Sequence, residues 1–242
     1  MKILAIDTTA KTATAALTDD GRLIAMTVLN TPNTHSVTLL PMIDGLLRGS
    51  ALTVEDLELL VCSAGPGSFT GVRIGAAAIK GLAYASGKAC IGVSSLEALA
   101  LGITETDGII CPVMDARRNQ LYNALFKYEN GRLVRLTPDR VITAEALKNE
   151  LSSAPVTVHL TGDGLSIAKR ALDGTAIREP HELLRYHNAY NVALLGYTEY
   201  IKATEEERKG FTADRLSPVY LRACQAERER LERLAREKEN NN

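Results

Sequence analysis

The sequence predicts a two-part α/β protein in which one order of elements, three strands followed by helix, strand and helix, occurs twice. Three observations predict it. Each half opens on three consecutive β-like apolar runs, with a hairpin signal between the second and third: Asp19-Asp20-Gly21 in the first half, Glu129-Asn130-Gly131 in the second. Each half then changes to helical spacing of its apolar residues, interrupted by a short buried run. The length, 242 residues, is enough for two cores. The repetition lies in the order of elements and not in residue identity.

"MKILAIDTT" is a strand entering a polar turn, and "ATAALTDDGRLIAMTVLN" supplies two antiparallel strands. In "TPNTHSVTLLPMIDGLLRGS", Asn33 or Thr34 can cap a helix whose Leu39, Leu40, Ile43, Leu46 and Leu47 recur at helical spacing. Pro41 inside that pattern predicts a kink. "LELLVCSAG" is a buried strand, "GVRIGAAAIKGLAYASG" a helix, "KACIGVSS" a strand and "SLEALALGI" a helix. A second unit begins near Asp107 with the strands "GIICPVMDAR", "NQLYNALFKYENG" and "RLVRLTPDRV". The helix "TAEALKNEL", the strand "PVTVHLTGDG" and the helix "NAYNVALLGYTEYIKA" complete it. "TEEERKGFTADRLSPVYLRA" reads as an exposed charged connector ending in a β-like "PVYL". From Gln225 on, charged residues surround Leu231 and Leu234, the pattern of a solvated helix with a frayed Asn tail. The expected divisions are 1–106, 107–223 and 224–242.

A net charge of −1 is not that of a chain that grips nucleic acid unaided. Aromatic residues make up 5% and Trp is absent, so the core must be aliphatic and rich in Ala. Cys62, Cys90, Cys111 and Cys224 form no CxxC pair. The first three sit in β-like runs, as buried free thiols in a reducing cytosol would. The N-terminal apolar run is too short for a signal peptide, and no run approaches the length of a bilayer span. A cytoplasmic protein with no membrane partner is expected.

The stretch richest in signals is "CSAGPGSFTGVRIG", Cys62 to Gly75. It lacks the Lys-Ser/Thr of a Walker loop, and Gly65, Gly67 and Gly71 do not have Rossmann spacing. Ser68 and Thr70 can cap the helix that follows, whose free N–H groups could attract an anion; the alternative is a tight turn. Gly71, Gly75, Ala78 and Ala85 form a stripe poor in side chains, which calls for close approach of another backbone, either the chain's own sheet or a second subunit. Asp7-Thr8-Thr9 can bind Mg²⁺–phosphate at the end of the first strand, or can simply turn the chain. The equivalent "VMDARRNQLY" carries Ala116, Arg117 and Arg118 where a phosphate loop wants glycines, and so reads as a degenerate nucleotide loop. "TGDG", ending at Gly164, can border a nucleoside or make a turn. His35, His159, His181 and His187 show no zinc spacing and read as capping or surface residues, and there is no GxSxG elbow. No catalytic and no metal residue is assigned.

In order along the chain, "ILAIDTT", "HSVTLLPMI", "GPGSFTGVRIG", "GVSSLEALA" and "MDAR" resemble the bacterial TsaB family, also called YeaZ. "PVYLR" near Pro218 resembles that family's closing motif. The resemblance implies the ASKHA fold of actin and sugar kinases. It also implies a role in making N6-threonylcarbamoyladenosine beside the anticodon of tRNAs that read ANN codons. The family is similar to the catalytic subunit TsaD, which carries a metal-binding HxxxH; His35 has no second His four residues on, so that site is not carried over. The resemblance implies contact with a TsaD-like subunit through N-terminal helices, a TsaE-like ATPase in the assembly, and a homodimer through the same surface when alone. tRNA would be reached through the complex. The contact is expected at His35, Leu39, Met42, Ile43 and Leu46 and at Thr70, Gly71, Arg73, Ile74, Gly75, Ala78 and Leu82.

Three functions follow from these features. The first is a non-catalytic scaffold subunit whose isolated chain holds no cofactor tightly, with ATP or ADP and Mg²⁺ an option at a subunit interface. The second is an active ATP-dependent ASKHA enzyme, for threonylcarbamoyl transfer or as a small-molecule kinase, motivated by Asp7-Thr8-Thr9. The third is a peptidase, which the missing HxxxH disfavours.

Overall fold

In a computed structural model, which describes residues 1–104, 106–152 and 156–222, the first half folds as its alternating pattern predicts. Strands β1 (Lys2–Asp7), β2 (Ala13–Asp19) and β3 (Arg22–Leu29) form an antiparallel meander. Asp20 at φ 46° and Gly21 at φ 75° close its second hairpin with the pair of left-handed residues a tight turn needs. Strands β4 (Leu59–Gly65) and β5 (Ala89–Ser94) add parallel pairing, giving the order β3-β2-β1-β4-β5. Residues of β1 and β4 alternate between two buried faces. Leu4, Ile6, Leu60 and Cys62 lie under α1 (His35–Gly49) and α2 (Phe69–Ser86), while Ile3, Ala5, Leu59 and Val61 bury on the far side. α1 is one helix with Pro41 inside it.

The three strands expected to open the second half are present, two of them broken. β6 (Ile109–Asp115) pairs with both β7 (Gln120–Asn123) and β8 (Phe126–Glu129), two parts of one run. β9 (Arg132–Arg135) pairs with β8, and β10 (Arg140–Thr143) with β7. The break sits where Leu125 N–H turns to the Thr137 hydroxyl, 2.8 Å away. Asn130 and Gly131, both left-handed, close the hairpin between β8 and β9. Helix α4 (Ala144–Ser152), β11 (Val158–Thr161), α5 (Leu165–Ala171) and the short β12 (Ile177–Arg178) follow, and the core path reads β10-β7-β6-β11-β12.

The halves interlock more than the order of elements suggests. Helix α3 (Ser95–Leu101) packs Leu96, Leu99 and Ala100 against Ile110, Met114 and Phe126 of the second sheet. Helix α6 (Ala189–Lys202), which sequence order places in the second half, lays Val192 and Ala193 on the first sheet's far face. Gly196 permits that approach, because a Cβ there would lie 2.5 Å from Val61 Cγ2. The segment expected to be an exposed connector includes α7 (Glu205–Arg208), then buries Ala213 and Leu216 in the first core. It is held where Cys90 N–H donates to Phe211 O at 3.0 Å. "PVYL" forms no strand; it is an extended strap whose Val219 N–H donates to Ala64 O at 2.7 Å. Cys224 and the tail from Gln225 lie outside the described residues.

Candidate functional site

The end of β1, the loop entering α2 and the end of β6 meet at a cleft of about 530 Å³ between the two sheets. Thr9, Lys11, Ser68, Asp115, Arg117 and Asp163 line it, and the strap residues Tyr220 and Arg222 border it.

The glycines of the loop are required by the chain's own first hairpin. A Cβ on Gly67 would lie 2.4 Å from Thr9 O, one on Gly71 2.0 Å from Thr8 O, and one on Gly75 2.6 Å from Thr8 Oγ1. Ser68 N–H donates to Thr9 O and Thr8 Oγ1 donates to Gly71 O, each at 2.7 Å. Ser68 caps α2 by accepting from Gly71 N–H at 3.3 Å. The small-residue stripe therefore has its explanation inside the chain: α2 must approach β1 closely.

Asp7 is 1% exposed and, unlike Thr9, does not line the cleft. Its Oδ1 accepts from Thr9 N–H at 2.8 Å and Thr9 Oγ1 at 2.7 Å. Its Oδ2 accepts from Ser63 Oγ at 2.5 Å and from His187 Nδ1 at 3.0 Å. Burial alone would raise the Asp7 carboxyl, but His187, Ser63 and Thr9 outweigh it and hold the group below its usual range. Burial likewise opposes a charged imidazole, yet the Asp7 carboxylate, with Asp163 farther off, lifts His187 above its usual value. Both directions describe an ion pair. His187 is thus neither a capping nor a surface residue. Its partner lies 180 positions away, a pairing that leaves no local sequence signal.

The other histidines have separate tasks. His35 Nε2 bonds Ala10 O at 2.8 Å, His159 meets Thr106 and Asp107 O, and His181 caps a short 3-10 turn. Among the described residues no group of three or more His, Cys, Asp and Glu side chains is placed to hold a metal.

The second hairpin has the opposite character. Arg117, Arg118 and Asn119 are three successive left-handed residues without a glycine among them. Arg117 N–H donates to Asp115 Oδ1 at 2.7 Å, and its guanidinium stands 3.5 Å from Oδ2. Glycines appear instead in "TGDG", where Cβ atoms on Gly162 and Gly164 would collide with the β6 backbone at Val113 and Met114, while Asp163 faces the cleft. The strap joins α2 to the second hairpin: Arg73 Nε donates to Tyr220 Oη at 2.9 Å, the Phe69 and Tyr220 ring centroids lie 4.7 Å apart, and Arg222 donates to Ala116 O.

The residues expected at a subunit contact divide into three sets. Leu39, Met42, Ile43 and Leu46 are buried in the first core, and Gly71 and Gly75 are covered by Thr8, so none of these six is on the surface of the chain. Ile74, Ala78 and Leu82 are half-buried against the same core, and His35 is half-buried beside Ala10. Thr70 and Arg73 are exposed, Arg73 tied to the strap. The outward face of α1 and α2 instead presents Val37 (67% exposed) and Leu40 (56%) with Ala77, Gly81 and Tyr84.

The family model described as TsaD, tRNA N6-adenosine threonylcarbamoyltransferase, matches residues 30–229. The tRNA threonylcarbamoyladenosine biosynthesis protein TsaB of Bacillus subtilis is 34% identical over 239 residues, covering 94% of this chain and 96% of its own. The TsaB protein of Escherichia coli is 39% identical over 134 residues, covering 54% and 58%. Among solved structures, YeaZ from Pseudomonas aeruginosa matches with a TM-score of 0.75 at 25% identity, over 91% of this chain and 99% of that one.

Proposed function

The chain belongs to the TsaB family of tRNA threonylcarbamoyladenosine biosynthesis proteins, and on that premise we propose that it is the non-catalytic scaffold of the modification complex, docking a TsaD-like catalytic subunit on the outer face of α1 and α2. Its fold is the ASKHA fold. The observation that carries the scaffold role is the exposed face itself. Val37 and Leu40 of α1 are each more than half exposed, and α2, which packs on α1, exposes the small residues Ala77 and Gly81, onto which another helix can pack closely. In the absence of the partner, a second copy takes the same face. A TsaE-like ATPase joins the assembly, tRNA is reached through it, and the isolated chain holds no cofactor tightly. Buried free thiols at Cys62, Cys90 and Cys111 support a cytoplasmic setting. Among the described residues no helix is long and apolar enough to cross a membrane.

Light scattering of the chain alone and mixed with its cognate TsaD tests this. A mixed complex that displaces the homodimer is the expected result; a TsaD that leaves the chain's mass unchanged refutes it. The alternative is an ATP-dependent ASKHA enzyme for threonylcarbamoyl transfer or as a small-molecule kinase, in which Asp7 of the Asp7-Thr8-Thr9 turn would have to exchange His187 for Mg²⁺. ATP turnover by the isolated chain, abolished by Asp7→Ala, would establish it.

A further inference from the structure

The fold implies a Mg²⁺–nucleotide held between the two hairpins, and the residues present do not fit one. A carboxylate offers about four acceptor positions. On Asp7 they are taken by Thr9 N–H, Thr9 Oγ1, Ser63 Oγ and His187 Nδ1. The amide of Ser68, which a phosphate loop would point at its ligand, is spent on Thr9 O. At the second hairpin, Asp115 is met by the backbone and guanidinium of Arg117. Each carboxylate therefore meets a cation of the chain's own, Arg117 from the same hairpin at Asp115 and the distant His187 at Asp7.

We propose that His187 stands where a cation would stand at Asp7, closing the first hairpin to a metal-bound phosphate and pinning the segment before α6 to the end of β1. The geometry is specific. His187 is 2% exposed, lies 3.0 Å from Oδ2, and touches Thr9 Oγ1 at 3.3 Å. Its Nε2 is buried and has no hydrogen-bond partner among the described residues, and its Nδ1 is directed at Asp7 and Thr9. An imidazole packed for hydrophobic filling alone would not direct its bonded nitrogen at a carboxylate that already has three other donors. This deepens the non-catalytic half of the scaffold role and rests on it, but its test reads ligand binding by the isolated chain and leaves the partner contact untouched.

The test titrates Mn²⁺ into the full chain, read by electron paramagnetic resonance. The native chain should show no saturable site at millimolar Mn²⁺. His187→Gly should bind Mn²⁺ at one site at least roughly tenfold tighter, and Asp7→Asn in that background should remove it. A folded His187→Gly chain that binds no tighter than native overturns the proposal. The native chain gives a decision even if the variant fails to fold. In ¹⁵N-histidine spectra, the His187 resonances should stay sharp in millimolar Mn²⁺, and paramagnetic broadening of them would mean that Asp7 is open to the ion.

Discussion

Replacing Gly71 and Gly81 by Ala, one at a time, should move stability in opposite directions although both lie in α2. A Cβ on Gly71 would stand 2.0 Å from Thr8 O and 3.1 Å from Thr8 C, both backbone atoms. Close carbon–oxygen contacts settle at about 3.3 Å or more, so α2 or the end of β1 must shift by roughly an ångström. That shift works against the Thr8 Oγ1–Gly71 O and Ser68 N–Thr9 O bonds that clamp the two segments. Overpacking of this kind costs about 1–3 kcal/mol, offset by the ~0.5–1 kcal/mol by which Ala exceeds Gly in a helix. The net loss is on the order of 1–2 kcal/mol, and at about 2–4 °C per kcal/mol for a chain of this size the midpoint should fall by roughly 2–8 °C. At Gly81 nothing lies within 4 Å of an added Cβ. Only the helical gain of ~0.5–1 kcal/mol remains there, a rise of about 1–4 °C. Calorimetric melts of the native chain and both variants provide the assay. A higher midpoint for Gly71→Ala, or a clear fall for Gly81→Ala, would refute the claim that the stripe serves packing inside the chain.

Leu40→Asp, on the outward face of α1, should abolish self-association and partner capture in light scattering while changing unfolding free energy by less than about 0.5 kcal/mol; intact association would remove α1 from the docking face. His187→Ala leaves Asp7 buried without its counter-charge and should cost about 3–5 kcal/mol in urea unfolding; a loss below ~1 kcal/mol would mean the pair is not charged. The same pair predicts a pH window. Asp7 is lowered from 3.8, so its contribution is present above that value and lost as pH falls through the folded pKa. His187 is raised from 6.5, so its contribution is full below that value and lost as pH rises through the folded pKa. The stability gap between native and His187→Ala should therefore be widest between 3.8 and 6.5 and shrink on either side, and a gap flat from pH 4 to 9 would contradict the assignment. Arg73→Ala should free the strap: the Val219 amide, bonded to Ala64 O, should exchange its hydrogen faster, whereas unchanged protection would show that Arg73 does not hold it.

Much of the site was legible, but its orientation was not. Thr9, Gly67, Ser68, Thr70 and Arg117 line the cleft, whereas Asp7 and Thr8 of the same first hairpin are buried and do not. The apolar spacing of α1 picked out Leu39, Leu40, Ile43, Leu46 and Leu47, and the structure buries all of them but Leu40 in the chain's own core. Periodicity reports that residues share a side of a helix; it does not report what covers that side.

The sequence by itself determined the local conformations, because their causes lie within a few residues of one another. Asp20-Gly21 and Asn130-Gly131 tolerate left-handed dihedrals and so place the hairpins, and Ser68 reaches the amide of Gly71 and so starts α2. Only the tertiary structure decided three other features. The glycine stripe turned to Thr8, α6 crossed to cover the first sheet, and His187 was brought to Asp7. Each depends on surfaces far apart in the chain, where burial of apolar area and the cost of an unpaired buried carboxylate select the partner, and neither quantity is written in any short stretch of residues.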